Sequence, residues 1–339
     1  MNARLNALSG KLILLLGSAA LAGCSMAPKY VRPEAPVSPS FPTGAAYEGV
    51  QPSEASAGAD IGWRDFYDDP LLHELVEKAL TNNRDLRVTA LNVEAARAQY
   101  RIQRSELLPT IAVGAEGTAQ RLPSDLFYNR RSYQVGAMAS AWELDLWGRL
   151  RSLDDAALQT ALASEATRRA AALSLVAQVA DAWLELAEID ERLAIARDTI
   201  ASRQESYRIF ARRVEVGATS RLNLTQIETL LTQAQALGAQ LEQQRAQRLN
   251  ALTLLVGSPL ELPVGQARPA LDAVFPALSP GAPSLLLTRR PDVAAAEHRL
   301  QAANANIGAA RAAFFPSISL TGNFGTASAE LSGLFRDGS

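Results

Sequence analysis

The stretch that decides the fold runs from residue 149 to residue 216: RLRSLDDAALQTALASEATRRAAALSLVAQVADAWLELAEIDERLAIARDTIASRQESYRIFARRVEV. It holds neither proline nor glycine over about 68 residues, which is on the order of 100 Å of helix at about 1.5 Å per residue. Val179, Leu186, Leu193, Ile200, Tyr207 and Val214 recur at every seventh position. Val176, Trp183 and Ala211 supply part of the interleaved set, the 3,4 spacing of a coiled-coil seam. Asp190, Arg197 and Gln204 interrupt that set, so the stripe is a packed helix face and not a dry zipper. Gly217-Ala218-Thr219-Ser220-Arg221 then stops the helix and offers hydroxyl caps for a second one. Leu224, Ile227, Leu231, Ala234, Leu241, Leu252 and Leu255 carry the second apolar face. The expectation is a long antiparallel helical hairpin over 148–256.

On its amino-terminal side, Asp68-Asp69-Pro70 opens a helix expected to run from Leu71 to about Leu107, with a break near Thr81-Asn82-Asn83, before Pro109 ends it. Two alternating runs follow, strands expected at 110–121 and 132–143, separated by the loop from Leu122 to Ser132. Ile111, Val113 and Ala115 share one side of the first; Tyr133, Val135, Ala137 and Ala139 share one side of the second. Each run is about ten residues, the length of a tilted membrane-crossing strand. Trp142-Glu143-Leu144-Asp145-Leu146-Trp147-Gly148 closes the second run. Its two tryptophans suit either the aromatic girdle of a membrane interface or a core aromatic pair.

The net charge of −2 gives no reason to expect a nucleic-acid partner. With Cys24 the sole cysteine, an intramolecular disulfide is excluded. Residues 1–23 read as a secretory signal, with Arg4 and Lys11 before an apolar core too short to span a membrane. Its ending, Leu21-Ala22-Gly23-Cys24, resembles the bacterial lipobox, which implies a covalent lipid on Cys24 and, with Ser25 next, outer-membrane retention. Residues 24–60, punctuated by Pro28, Pro33, Pro36, Pro39, Pro42 and Pro52, read as an extended tether and not a packed element.

Displacing the chain by 207 residues brings Pro109 onto Pro316, Asp85 onto Asp292, Arg104 onto Arg311 and Ile111 onto Ile318. The shared order of helix, proline and alternating strand marks a repeat. Its first copy occupies 61–283, ending in a Pro- and Gly-rich connector. The second, 284–339, shows a helix and one strand at 316–327, with Ile318, Leu320 and Phe324 on one face, and reads as incomplete at Ser339. No helix past the signal reads as apolar enough to span a bilayer, since Ala170–Ala187 still holds Gln178, Asp181 and Glu185. A spanning part must then be a closed barrel. The few strands of one chain cannot close it, so several chains must contribute. The fold class is therefore mainly α with a minor membrane β part.

These features together resemble the outer-membrane factor family, the TolC-type efflux channels, in its lipoprotein subgroup. The residues that carry the resemblance are Cys24, the proline-studded segment, Trp142 to Gly148, Val216 to Ser220, Asn250 to Pro259, and Arg289-Arg290-Pro291-Asp292-Val293. The resemblance implies a homotrimer sharing a β-barrel in the outer membrane and helical hairpins extending into the periplasm. It also implies a periplasmic membrane-fusion adaptor and an inner-membrane efflux pump as partners, and export of small molecules. Gly217, Ala218, Thr219, Ser220 and Arg221 become the adaptor-docking tip, although they could equally be only a stop and a cap. Trp142, Leu144, Asp145, Trp147 and Gly148 become the membrane-interface turn.

No enzyme is expected, because no Gly-x-Ser-x-Gly, Walker or dinucleotide motif is present. His73 and His298 stand far apart on separate helices, so neither a metal nor a cofactor beyond the lipid is expected. Glu143 and Asp145 fit a strand-to-helix junction better than catalysis. The competing function is a lipid-anchored periplasmic coiled-coil scaffold without channel activity. Ten-residue alternating segments argue against it. Because the second copy ends before a return strand and a second hairpin, a further expectation is that the chain as given does not conduct as a trimer on its own.

Overall fold

A computed structural model describes residues 26–34, 61–119, 131–263, 287 and 289–336. The signal segment, Cys24, most of the tether, most of the loop before the second strand, and the connector beyond residue 263 lie outside the described residues. The described elements are α1 (Trp63–Phe66), α2 (Pro70–Asn82), α3 (Arg84–Ser105), β1 (Ile111–Ala119) and β2 (Arg131–Glu143), followed by α4 (Arg149–Glu215), α5 (Arg221–Val256), α6 (Pro291–Ala312) and β3 (Ser319–Ser328). They fall into two compact units: Ala35–Asn92 with Ala166–Ala294, and Met1–Glu34 with Val93–Glu165 and Ala295–Ser339.

The unit containing the hairpin has its core where α2, α4 and α5 meet. Leu72, Leu75, Val76 and Ala79 pack with Leu175, Val176, Val179, Ala180, Trp183 and Leu186, and with Leu252 and Val256. Burying a side chain of this size contributes about 1.5–3 kcal/mol. The α2 end is fixed by Asp69, only 3% exposed. Its Oδ1 accepts from Leu71 N at 2.8 Å and Leu72 N at 3.1 Å. Its Oδ2 accepts from Trp183 Nε1 at 3.1 Å, tying the helix start to α4.

The expected break in the first helix falls at Asn83, which caps α3 by accepting from Leu86 N at 2.8 Å. The same side chain donates to Leu255 O at 2.8 Å. Gly257 ends α5 at φ 73°, and a Cβ there would lie 2.5 Å from Asn82 O. A left-handed conformation and a close backbone approach both demand glycine at this point.

The heptad reading of α4 acquires partners in the structure. Val179, Leu186 and Leu193 are buried; Ile200, Tyr207 and Val214, toward the hairpin end, are half-buried. Two of the three interruptions are ion-paired across the hairpin. Asp190 Oδ1 accepts from Arg245 Nε at 2.5 Å, while Arg245 Nη2 also donates to Leu262 O at 2.8 Å. Arg197 Nη2 donates to Glu242 at 3.2 Å. One expectation needs correction. Some 18-residue window of α4 is apolar enough, by composition and length, for a membrane span. Leu175 to Leu186 of this helix contribute to the core against α2 and α5.

In the other unit, β1, β2 and β3 form one antiparallel sheet in sequence order. Ile111 pairs with Ala139, Val113 with Ala137 and Ala115 with Val135. Across β2, Ala137 pairs with Phe324 and Ala139 with Gly322. β3 begins at Ser319 and not at the expected 316, since Pro316 has no N–H for the ladder. The tether reading also needs correction at its start: residues 26–34 have no regular structure, yet they are packed against α6.

Candidate functional sites: the sheet, its helix junction and the hairpin tip

Alternation gives the sheet two unlike faces. One carries Ile111, Val113, Ala115, Val135, Ala137, Leu320 and Phe324, with Val113 81% and Phe324 87% exposed. Large apolar side chains standing this far into solvent on a sheet face mark a surface built for an apolar partner or lipid. The opposite face carries Glu116, Gln134, Met138 and Asn323, and Gln134 Nε2 donates to Glu116 Oε2 at 2.7 Å. These four residues are among those lining a concavity of about 390 Å³. Between them Gly114, Gly136 and Gly325 form one row across the strands. A Cβ at Gly136 would come within 2.7 Å of Phe324 O, and one at Gly325 within 2.3 Å of Val135 O. Only glycine admits so close an approach of neighbouring backbones, as a curled sheet requires.

A bulge between Ala139 and Trp142 keeps the apolar face continuous. Strict alternation would turn Trp142 to the polar side. Ala141 instead takes φ 47°, and its N–H donates to Thr321 Oγ1 at 3.2 Å. The extra residue places Trp142 opposite Leu320. Nothing in the alternation of the sequence signals this alanine.

Each junction residue has a definite place. Trp142 Nε1 donates to Leu107 O at 3.3 Å, and Trp147 Nε1 donates to Pro316 O at 3.0 Å. Each tryptophan thus holds the helix-to-strand linker of one repeat, and the tryptophans are not stacked on each other. Trp147 stacks on Phe315 at 4.7 Å. Leu144 N donates to Ile318 O at 2.8 Å, extending the ladder past β2. Gly148, at φ 74°, turns the chain into α4.

Asp145 then caps that helix, accepting from Leu150 N and from Arg151 N at 3.0 Å each, and from Arg151 Nε at 3.0 Å. Burial by itself would raise its pKa; the two backbone N–H groups and the Arg151 guanidinium outweigh that and hold it below the ordinary carboxylate range. Glu143 accepts from Arg149 Nε at 2.8 Å and from its Nη2 at 2.5 Å, and this hydrogen bonding raises the arginine's pKa. Both acids are thus engaged in structural pairs.

At the hairpin tip, Gly217 takes φ 70°, and Ala218 N donates back to Arg213 O at 2.8 Å. Ser220 Oγ caps α5 by accepting from Asn223 N at 3.3 Å, and Asn223 Nδ2 donates to Thr219 Oγ1 at 3.0 Å. The cap and stop are real, and they leave side chains over. Arg221 is exposed and makes no ion pair among the described residues. Val216, the first residue of the tip motif, and Leu222, absent from the tip as read in the sequence, flank it at 63% and 68% exposure. Their signal was legible, since neither falls on the seam spacing of its helix. The two histidines serve locally: His73 Nε2 contacts Tyr67 O at 2.5 Å, and His298 Nδ1 contacts Gln159 Oε1 at 2.7 Å. Among the described residues, no group of three or more metal-binding side chains comes together. Cys24 lies outside the described residues.

A two-faced, curled sheet entered from helices, joined in one chain to a coiled-coil hairpin, is the construction of a barrel-type envelope channel subunit. Comparison with known proteins agrees. The chain matches the model of the outer membrane efflux protein family over residues 75–258 and 282–339. It is 48% identical over 334 residues to the outer membrane protein OprJ of Pseudomonas aeruginosa, covering 96% of this chain and 68% of that one. It is 47% identical over 332 residues to the toluene efflux pump outer membrane protein TtgF of Pseudomonas putida, covering 95% and 68%. Among solved structures, the open state of the MtrE outer membrane channel of Neisseria gonorrhoeae superposes with a TM-score of 0.81 at 41% identity, covering 93% of this chain and 69% of that one. The protein belongs to the outer membrane efflux protein family. It is a transport protein of the Gram-negative outer membrane, and the family is one of channels and not of enzymes. The scaffold alternative is not favoured.

Proposed function

We propose that the protein is one subunit of a trimeric conduit through which a tripartite pump expels small, largely apolar molecules, with Cys24 acylated as a lipid anchor and no catalytic role. The observation that carries this reading is the two-faced sheet: apolar Val113 and Phe324 on one side, Glu116 and Gln134 on the other. β1 and β3 each pair only with β2 among the described residues. In lipid each unpaired backbone group costs several kcal/mol, so closure requires strands from further copies. Bacterial single-chain barrels have eight or more strands, which three copies reach. The apolar-solvent pump to which TtgF belongs by name supports the substrate class.

The tip, Gly217 to Arg221 with Val216 and Leu222, is the surface for a periplasmic adaptor. It presents a capped turn whose Arg221 makes no ion pair among the described residues, flanked by two exposed aliphatic side chains, the pattern of a small docking patch. Planar-bilayer recording from purified protein tests the conduit. Glu116→Gln should leave insertion intact and shift ion selectivity toward anions, because it removes a fixed negative charge from the lumen wall. Val113→Asp should instead suppress insertion. Val113→Asp inserting as readily as the wild type, or ion selectivity indifferent to Glu116, would overturn the proposal.

A further inference from the structure

Residues 26–34 run along α6 in the opposite direction, held at both ends and the middle. Asn304 Nδ2 donates to Pro28 O at 2.8 Å, and Arg311 Nη1 reaches Met26 O at 3.5 Å. At the other end Tyr30 OH donates to Glu297 Oε1 at 3.3 Å. The Arg32 guanidinium grips the same carboxylate bidentately, its Nε 2.6 Å from Oε1 and its Nη2 on Oε2. That grip holds the Glu297 carboxyl below the ordinary range. Between these contacts Ala27 sits on Gly308, where an added Cβ would come within 2.7 Å of the Ala27 N and Cβ. Glu297, Asn304, Gly308 and Arg311 recur at helical spacing and so form one row of α6.

The internal repeat supplies a control. At the same displacement of 207 residues, the α3 counterparts of Glu297, Asn304 and Gly308 are Ala90, Arg97 and Arg101. The first-repeat helix has no carboxylate to take Arg32, no amide at the middle position, and a long cation where Ala27 would sit. Its Arg97 is already engaged by Glu165, Nε to Oε1 at 2.8 Å. We propose that Met26–Arg32 is a strap that recognises the second-repeat helix α6 and is rejected by its first-repeat counterpart α3. It thereby sets which of two otherwise similar repeats carries the chain's amino-terminal anchor. The part about the anchor rests on reading Cys24, two residues before the strap, as the lipid site; the docking itself does not. In a ring of alternating repeats, such discrimination places every anchor at an equivalent position, one per chain.

Limited trypsinolysis of the purified full-length protein in detergent, read by mass spectrometry at the Lys29–Tyr30 bond, tests the strap. That bond is cut only when the segment lifts off its seat, so the cleavage rate follows the undocked population. Glu297→Arg and Gly308→Leu should each speed cleavage about tenfold or more, and the pair Arg32→Glu with Glu297→Arg should return it to within about threefold of wild type. Arg101→Leu on α3 should change nothing. Rescue by the swapped pair separates docking from mere misfolding of either single variant. Cys24→Ser should keep the protection, because the seat is protein. Protection that survives Glu297→Arg and Gly308→Leu yet is lost in Cys24→Ser would place the shield in the micelle and refute the strap, while leaving the channel function untouched.

Discussion

Replacing Asp69 with asparagine should destabilise the α2–α4–α5 core although the two side chains are nearly the same size. The carboxylate accepts three N–H donors, from Leu71, Leu72 and Trp183, and offers none. An asparagine can keep its carbonyl on the two backbone amides, but then its NH2 faces the indole N–H and two donors meet. Flipped, it satisfies Trp183 and abandons the helix cap. Losing the cap costs about 1 kcal/mol (range ~0.5–2). Stranding the buried indole N–H costs about 1–3 kcal/mol. Asp69→Asn must accept one of these losses, and Asp69→Ala accepts both, for roughly 1.5–5 kcal/mol. Trp183→Phe removes the indole donor, so in that background Asp69→Asn should be milder by about 1–3 kcal/mol. Helix melting in detergent, followed by far-ultraviolet circular dichroism for the four members of the cycle, measures this coupling. If Asp69→Asn lies within about 0.5 kcal/mol of wild type, or the two changes are additive, the account of Asp69 as a triple acceptor is refuted.

Arg245→Met removes the guanidinium paired with the buried Asp190 carboxylate and should cost about 3–5 kcal/mol, whereas Asp190→Leu with Arg245→Met should recover most of it, measured by the same melting. Asp145 has a depressed folded pKa, so its contribution is complete above the ordinary carboxylate value of about 4 and is lost as pH falls through the lower folded value. Amide exchange at Leu150 and Arg151 should therefore accelerate only below the ordinary carboxylate range, and Asp145→Asn should abolish that pH dependence. Arg221→Glu and Leu222→Asp should cut photo-crosslinking of the tip to a periplasmic adaptor by about tenfold, while leaving melting within about 0.5 kcal/mol of wild type. Gly257→Ala should cost more than the ~1–2 kcal/mol of left-handed strain, because its Cβ also meets Asn82 O.

Much of this architecture could be read without coordinates because its signals are local and periodic. A glycine- and proline-free run with a seven-residue apolar repeat has few alternatives to a long helix, and Gly217 with Ser220 marks where it must turn. Strand alternation assigned Ile111, Val113 and Ala115 to one face, and the shared helix-proline-strand order exposed the repeat. Family membership followed from motifs spread over nearly the whole chain.

Pairings between residues distant in sequence were not legible. Asp190 and Arg197 read only as flaws in a seam, until Arg245 and Glu242 supplied the charges that make those positions tolerable. The bulge at Ala141 leaves no compositional trace, yet it alone returns Trp142 to the apolar face. The tryptophans of the junction read as an interface girdle or a core pair, with no sign that each answers a different carbonyl, at Leu107 and at Pro316. The start of the proline-rich tether read as free chain, because proline content reports only the lack of helix and strand, not the presence of a seat. Periodicity is imposed by the chain's own backbone and so survives in one dimension. A hydrogen bond or ion pair between residues far apart in the chain depends on which elements are brought side by side, and that exists only once those elements have packed together.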